Sequence, residues 1–199
     1  MLMNMKIIKE LEDLQGEMQE WRRDIHAHPE IAFEEHRTAQ IVADKLESFG
    51  IEVETGIAGT GVVGTLRKGM GNRSIGLRAD LDALLINETN DFEYKSKNPG
   101  QMHACGHDGH TTMLLGAAKY LSEQGNFDGT VNFIFQPAEE NEGGGRVMIE
   151  DGLFDKYPVE SVYGMHNIPG MPVGSFAIKP GPIMAAFDIF NLKVIGRGG

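Results

Sequence analysis

Segments with helical spacing of apolar residues alternate with short apolar runs along this chain of 199 residues, and no other property restricts its fold as strongly. In the first type, apolar residues recur every three or four positions, which is typical of a helix with one buried face. These segments are 7–25, 34–49, 111–123 and 144–151. The short runs are typical of strands. They are 51–54, 61–66, 74–78, 131–135 and 161–165. The alternation predicts an α/β domain whose mostly parallel sheet is flanked by helices.

Two breaks in this pattern bear on the organisation of the chain. The glycine-rich segment 68–73 lies between two predicted strands and predicts a hairpin-type loop. After the Pro-Gly-Pro sequence at 180–182, apolar and polar residues alternate through 190–194, which predicts a half-exposed antiparallel strand. We therefore place a domain boundary near Ala185, with the first strand of a second, incomplete domain in residues 186–199.

Charge and cysteine content argue against several classes of protein. The chain has 29 acidic and 18 basic residues, a net charge of −11, and no cluster of lysine and arginine, so we expect no nucleic-acid partner. No apolar run approaches the length of a membrane span, and the first residues lack the apolar region of a secretion signal. Cys105 is the single cysteine, which rules out an intrachain disulfide and suits a reducing compartment. These properties predict a cytoplasmic protein.

Chemically reactive side chains follow three of the predicted strands. Asp80 and Asp82 come after 74–78, Glu139 and Glu140 after 131–135, and His166 after 161–165. In open α/β sheets, the carboxyl ends of the strands line the ligand crevice. We therefore expect these five side chains to converge, although they are distant in sequence.

The segment 103–110 holds three histidines and Cys105, which one glycine separates from His107. Thiolate and imidazole are good ligands for zinc-like ions, and the start of the following helix favours the thiolate form. Two other interpretations stay open: a buried structural cysteine beside solvated histidines, and a cysteine nucleophile with a histidine base. We predict that His26 and His28, at the end of a helical segment, are structural.

The acidic residues admit more than one role. After a turn at Pro137, one carboxylate of the pair Glu139 and Glu140 can bind a cation while the other takes a proton from water. The alternative is a solvated acidic turn. His166 is either a ligand or a strand-end histidine that bonds to backbone. Asp80 and Asp82 are either ligands or acceptors that orient a histidine.

Six segments, in this order, resemble motifs of the metal-dependent amidohydrolase and peptidase family of aminoacylases, hippurate hydrolases, N-acyl-amino-acid deacylases and auxin-conjugate hydrolases. They are Arg23-Asp-Ile-His-Ala-His-Pro-Glu30, Arg78-Ala-Asp-Leu-Asp-Ala83, Met102-His-Ala-Cys-Gly-His-Asp-Gly-His110, Gln136-Pro-Ala-Glu-Glu140, Gly164-Met-His-Asn167 and Gly181-Pro-Ile-Met-Ala185. The resemblance implies that residues 1–185 form the N-terminal part of a zinc-peptidase-like catalytic domain. It also implies that 186–199 open an α+β lid and dimerisation domain.

The same resemblance implies a site with two divalent metal ions, zinc, manganese, cobalt or nickel. The matching positions are four metal ligands, one general base and two supporting acids. In that order they are Cys105, His107, Glu140 and His166; Glu139; and Asp80 and Asp82.

The implied activity is hydrolysis of the amide bond of small N-acyl amino acids. Proteins of this family continue past the position of Gly199 with further histidines, so the resemblance implies an N-terminal half, with a homo-oligomer for the full-length protein. A cysteine-nucleophile amidase and a catalytically incomplete metal-binding fragment remain as alternatives.

Overall fold

The computed structural model describes residues 7–140, 142–186, 188 and 190–197. Six helices are assigned within these ranges: α1 (Lys9–Asp13), α2 (Gln15–Ala27), α3 (His36–Ser48), α4 (His107–Gln124), α5 (Gly144–Glu150) and α6 (Leu153–Lys156). Five strands accompany them: β1 (Glu52–Ile57), β2 (Gly61–Lys68), β3 (Ser74–Asp80), β4 (Gly129–Gln136) and β5 (Val162–Gly164). None of the helices in this part of the chain is long and apolar enough to cross a membrane.

The five strands form one mixed sheet in the order β1-β2-β4-β3-β5. The pairs β1–β2 and β2–β4 are antiparallel, whereas β4–β3 and β3–β5 are parallel. The predicted α/β class is therefore confirmed, but the sheet is mixed and not mostly parallel, since only two of its four described strand pairs are parallel. The parallel half of the sheet is the half that carries the reactive side chains. The hairpin prediction for 68–73 is wrong, because β4 lies between β2 and β3. The hairpin connects β1 to β2 instead.

Helices cover both faces of the sheet because its central strand is apolar on both sides. Phe133 and Phe135 on β4 pack into the core formed with α2, α3 and α4, while Ile134 between them faces α5 and α6. All three side chains are almost fully buried. This explains the continuous apolar run in the sequence, since a strand covered on both faces has no solvent-facing position.

Shortening Ile134 to valine should lower the free energy of unfolding by about 0.5–1.5 kcal/mol, because the site is too tightly packed to close over a lost methyl group. Ile149, on the exposed side of α5, is the matched control. Ile149→Val should stay within about 0.5 kcal/mol of wild type. Urea unfolding of the whole protein measures both values, and equal effects would contradict the packing described here.

The elements named above belong to one unit, Met5–Asn167, while Ile168–Gly199 belong to a second unit. The structure assigns no helix or strand to the described residues of the second unit, and the strand expected at 190–194 stays a prediction. A strand needs a partner for its backbone N–H and C=O groups, and this part of the chain offers none. The domain boundary near Ala185 stays a prediction.

Candidate metal centre

The sheet brings the seven predicted site residues to one edge. Asp80 is the last residue of β3, and the Glu139–Glu140 pair and His166 follow the carboxyl ends of β4 and β5. Cys105 and His107 come from the amino end of α4. Gly106 makes this start possible, because its φ of 98° is left-handed and an added Cβ would overlap the side chain of Asn167.

His107 lies at the centre of the cluster and is fully buried. Its Nδ1 atom contacts Asp82, at 2.8 Å from the backbone oxygen and 3.2 Å from Oδ1. Its Nε2 atom lies 3.6 Å from Asp80 Oδ2, 3.8 Å from Glu139 Oε2 and 3.6 Å from Glu140 Oε1. Asp82 thus accepts the Nδ1 proton and leaves the Nε2 lone pair free for another partner.

Two buried atoms at this point have no hydrogen-bond partner among the residues that the structure describes: His107 Nε2 and Glu140 Oε1. An unpaired buried polar atom costs free energy, and these two face each other across 3.6 Å. A nitrogen lone pair and a carboxylate oxygen are both electron donors, so a cation between them satisfies both. The donor set therefore fits a metal ion.

Three groups of side chains have donor atoms within 4.8 Å of one another. They are Cys105, His107 and His166; Asp80, His107 and His110; and His107, Glu139 and Glu140. His107 belongs to all three, and Cys105 Sγ lies 3.4 Å from His166 Nε2. Sulfur, nitrogen and carboxylate oxygen are the ligands found at zinc-like sites.

The electrostatics of Cys105 differ from the sequence-based expectation. Burial, followed by the hydrogen bond and charge of Glu140 and the charges of Glu139 and Asp80, raises the pKa of the thiol to about 12. The expected stabilisation of the thiolate by the start of α4 is therefore outweighed. A thiol with a raised pKa is a poor nucleophile, whereas a coordinated divalent cation deprotonates a thiol outright. The surroundings of Cys105 favour a ligand over a nucleophile.

His110 is a site residue that the sequence reasoning did not assign. Its Nδ1 atom lies 2.6 Å from Asp80 Oδ1, and its Nε2 atom accepts the backbone N–H of Asn167 at 3.1 Å. Burial opposes ionisation of Asp80, but the bond to His110 and the charges of His107 and Arg78 hold its pKa well below the usual range. The spacing of three residues from His107 on one helix was the available signal, because such residues share a face.

The histidines predicted to be structural lie outside these groups. The buried His26 contacts Asp108 Oδ2 at 2.9 Å and Glu88 Oε1 at 3.1 Å, so both of its ring nitrogens are paired. His28 belongs to none of the three donor groups, and its Nδ1 atom bonds to the backbone oxygen of Asp24. The contacts of His26 fix α2 against its neighbours, whereas the contact of His28 lies within the end of α2.

Known proteins are similar to this chain in both sequence and fold. A profile of Peptidase family M20/M25/M40 matches residues 76–195. Hippurate hydrolase of Campylobacter jejuni is 53% identical over 195 residues, which are 98% of this chain and 51% of that protein. N-acyl-L-amino acid amidohydrolase of Geobacillus stearothermophilus is 46% identical over 181 residues, 90% of this chain and 48% of that protein.

A solved structure extends the comparison to the fold. The crystal structure of a Bacillus subtilis protein, described as a dinuclear metal-binding peptidase from the M20 family, superimposes with a TM-score of 0.81 at 39% identity. The match covers 86% of this chain and 48% of that one. The chain spans about half the length of the curated relatives it matches.

Proposed function

Because the chain belongs to Peptidase family M20/M25/M40, we propose that it takes part in metal-dependent hydrolysis of the amide bond of N-acyl amino acids or similar small conjugates. The observation that carries this proposal is the pair of facing donor atoms on His107 and Glu140, for which the described part of the chain offers no hydrogen-bond partner. The substrate class is supported by the names of two relatives, hippurate hydrolase and N-acyl-L-amino acid amidohydrolase, each matched over about half of its length.

Four residues would hold the metal ions: Cys105, His107, Glu140 and His166. The dinuclear relative supports two ions, and the mixed donors suit zinc, manganese, cobalt or nickel. When bound, such ions polarise a substrate carbonyl and lower the pKa of water. Asp82 orients His107 by accepting its Nδ1 proton, and Asp80 similarly fixes His110.

Glu139 is the proposed general base. Its side chain is 39% exposed, whereas that of Glu140 is 18% exposed, so Glu139 can meet solvent and substrate. Its Oε2 atom lies 3.8 Å from His107 Nε2, at the rim of the same cluster. Glu139 takes a proton from the attacking water and gives it to the departing amine.

Two alternatives are distinguished by Cys105. A cysteine-nucleophile amidase needs an activated thiolate, and the raised pKa of this thiol argues against it. A metal-binding fragment without turnover would keep its ions and show no hydrolysis. For the whole protein, we propose a homo-oligomer in the cytoplasm, since the unpaired Cys105 of this chain suits a reducing compartment.

The test is the divalent-metal content of the whole protein, purified under reducing conditions and measured by elemental mass spectrometry. We expect bound metal in wild type and a clear loss in Cys105→Ser, because serine oxygen replaces a soft sulfur donor. His36→Ser is the matched control, since His36 is 71% exposed on α3 and lies outside the three donor groups. It should keep its metal.

Hydrolysis of N-acyl amino acids gives the second readout, and it is measured as the amount of free amino acid released. A chelator should abolish it, and added divalent metal should restore it. Activity that resists chelators but is lost on thiol alkylation would overturn the metal mechanism in favour of a cysteine nucleophile.

A further inference from the structure

The turn between β4 and the glutamate pair has an unusual backbone conformation. Ala138, fully buried and directly before Glu139 and Glu140, has a φ of 51°. Residues other than glycine, asparagine and aspartate rarely adopt this left-handed region, since their Cβ atom approaches the following carbonyl oxygen. Such a residue keeps its conformation when the surrounding structure over-determines it, so the contacts of Ala138 have to be identified.

The decisive contact comes from Glu35, which is 103 residues away in sequence and fully buried at the start of α3. Its Oε1 atom accepts the backbone N–H of Ala138 at 2.8 Å. Its Oε2 atom accepts the hydroxyl of Thr60 at 2.5 Å, which connects it to the β1–β2 hairpin. Burial raises the pKa of Glu35, and the two donors oppose that shift. A buried carboxylate is costly, and here both oxygens are committed to fixing other segments.

The far side of the same turn is also held. The backbone oxygen of Ala138 accepts the N–H of Gly144 at 2.9 Å, and Asp82 Oδ2 accepts the N–H of Glu140 at 3.0 Å. Residue 144 has to be glycine, because a Cβ there would overlap the carbonyl oxygen of Pro137. The bond from Glu35 is thus the contact that fixes the N–H side of the left-handed residue.

We propose that Glu35 is a positioning residue for the metal centre: by holding Ala138 in the left-handed conformation, it directs Glu139 and Glu140 toward His107. The inference rests on the proposed function and extends it to a side chain outside the three donor groups. Without the bond, Ala138 returns to negative φ, the chain direction after residue 138 changes, and the two carboxylates leave their places beside His107 Nε2.

The test compares Glu35→Ala with Glu34→Ala in the whole protein. Glu34 is the neighbouring glutamate and is exposed, so it serves as the matched control. In a crystal structure of Glu35→Ala, we expect negative φ at Ala138 and displaced side chains at 139 and 140. We also expect Co²⁺ affinity about 10- to 100-fold lower, with a changed cobalt absorption spectrum. For turnover, kcat should fall about 10- to 100-fold and KM less than about threefold, as for a lost bond to a charged group.

The substitution Ala138→Gly distinguishes a positioning role of Glu35 from a merely structural one. Glycine adopts φ of 51° without strain, so the double variant Glu35→Ala/Ala138→Gly should recover part of the lost Co²⁺ affinity and kcat. If Glu35→Ala does not fold, Glu35→Asp carries the same comparison, because it retracts the acceptor while keeping a carboxylate. Glu35→Gln, which still offers an oxygen to Ala138, should stay near wild type.

An unchanged φ at residue 138 in Glu35→Ala or Glu35→Asp would overturn the proposal. So would a double variant that recovers nothing after the single variant has lost Co²⁺ affinity. The φ comparison decides the role of Glu35 without reference to activity. Absence of metal binding in wild type would instead count against the proposed function.

Discussion

Glu139→Gln should lower kcat by about 10²- to 10⁴-fold, which is the contribution of a general base, while the protein keeps its bound metal. Glutamine has the size and shape of glutamate but cannot accept a proton. The backbone at this position is fixed independently of the side chain, since Asp82 and Glu35 hold the flanking N–H groups. The change therefore isolates proton transfer from the geometry of the site.

The measurement is steady-state hydrolysis of an N-acyl amino acid, together with metal content of the same samples. Glu142→Gln is the matched control, because Glu142 is the next glutamate along the chain and is exposed. It should retain wild-type kcat. The assignment of Glu139 is falsified if its variant turns over at the wild-type rate, and loss of metal along with activity would make Glu139 a ligand instead.

Asp82→Ala should weaken divalent-metal binding about 10- to 100-fold, as is usual when the acceptor behind a metal-bound histidine is removed. The carboxylate is buried, which opposes ionisation, but the bond from His107 and the backbone amides of Glu140 and Glu139 lower its pKa. Alanine removes the side-chain acceptors for His107 Nδ1 and for the Glu140 N–H at once, while the backbone oxygen of residue 82 still accepts from Nδ1. The imidazole then keeps its tautomer through the backbone oxygen but loses the negative charge beside its Nδ1 atom, and the glutamate pair loses one anchor.

Asp82→Asn is the control for this variant, because it keeps the volume and one acceptor oxygen at the same place. Its metal affinity should lie between those of wild type and Asp82→Ala. Competition with a chromophoric chelator measures all three dissociation constants. Equal affinity in wild type and Asp82→Ala would show that Asp82 does not act on the metal centre.

Local sequence signals predicted most of the elements but not their pairing, and they gave one helix over 7–25 where the structure has α1 and α2, and none for α6. The apolar run 131–135 identified β4 because a strand buried on both faces has no polar position. The order of the strands depends on contacts between distant segments, so nothing in 68–73 revealed that β4 separates β2 from β3. The start of α4 was expected at residue 111 and lies at His107, because the left-handed Gly106 allows the helix to begin earlier.

The candidate site was predictable to the extent that its residues follow strands. Asp80 is the last residue of β3, Glu140 and His166 come after the carboxyl ends of β4 and β5, and the structure gathers them as expected. Their chemical roles remain predictions. His110 went unassigned because its role depends on Asp80, 30 residues away. Glu35 gave no signal at all, since its partner lies 103 residues along the chain.

The position of β4 in the sheet has a consequence for how the protein is made. The ribosome synthesises β1, β2 and β3 before β4. In the folded sheet, however, β2 and β3 both pair with β4. Among the described strand pairs, the β1–β2 hairpin and β3–β5 are the ones that do not involve β4, and β5 is synthesised last. Non-local pairings form slowly, because the loop must close before the contacts repay it. During translation, β3 therefore stays without a native partner until residue 136 has emerged, and the predicted metal ligands that follow β4 and β5 can join it only after that point.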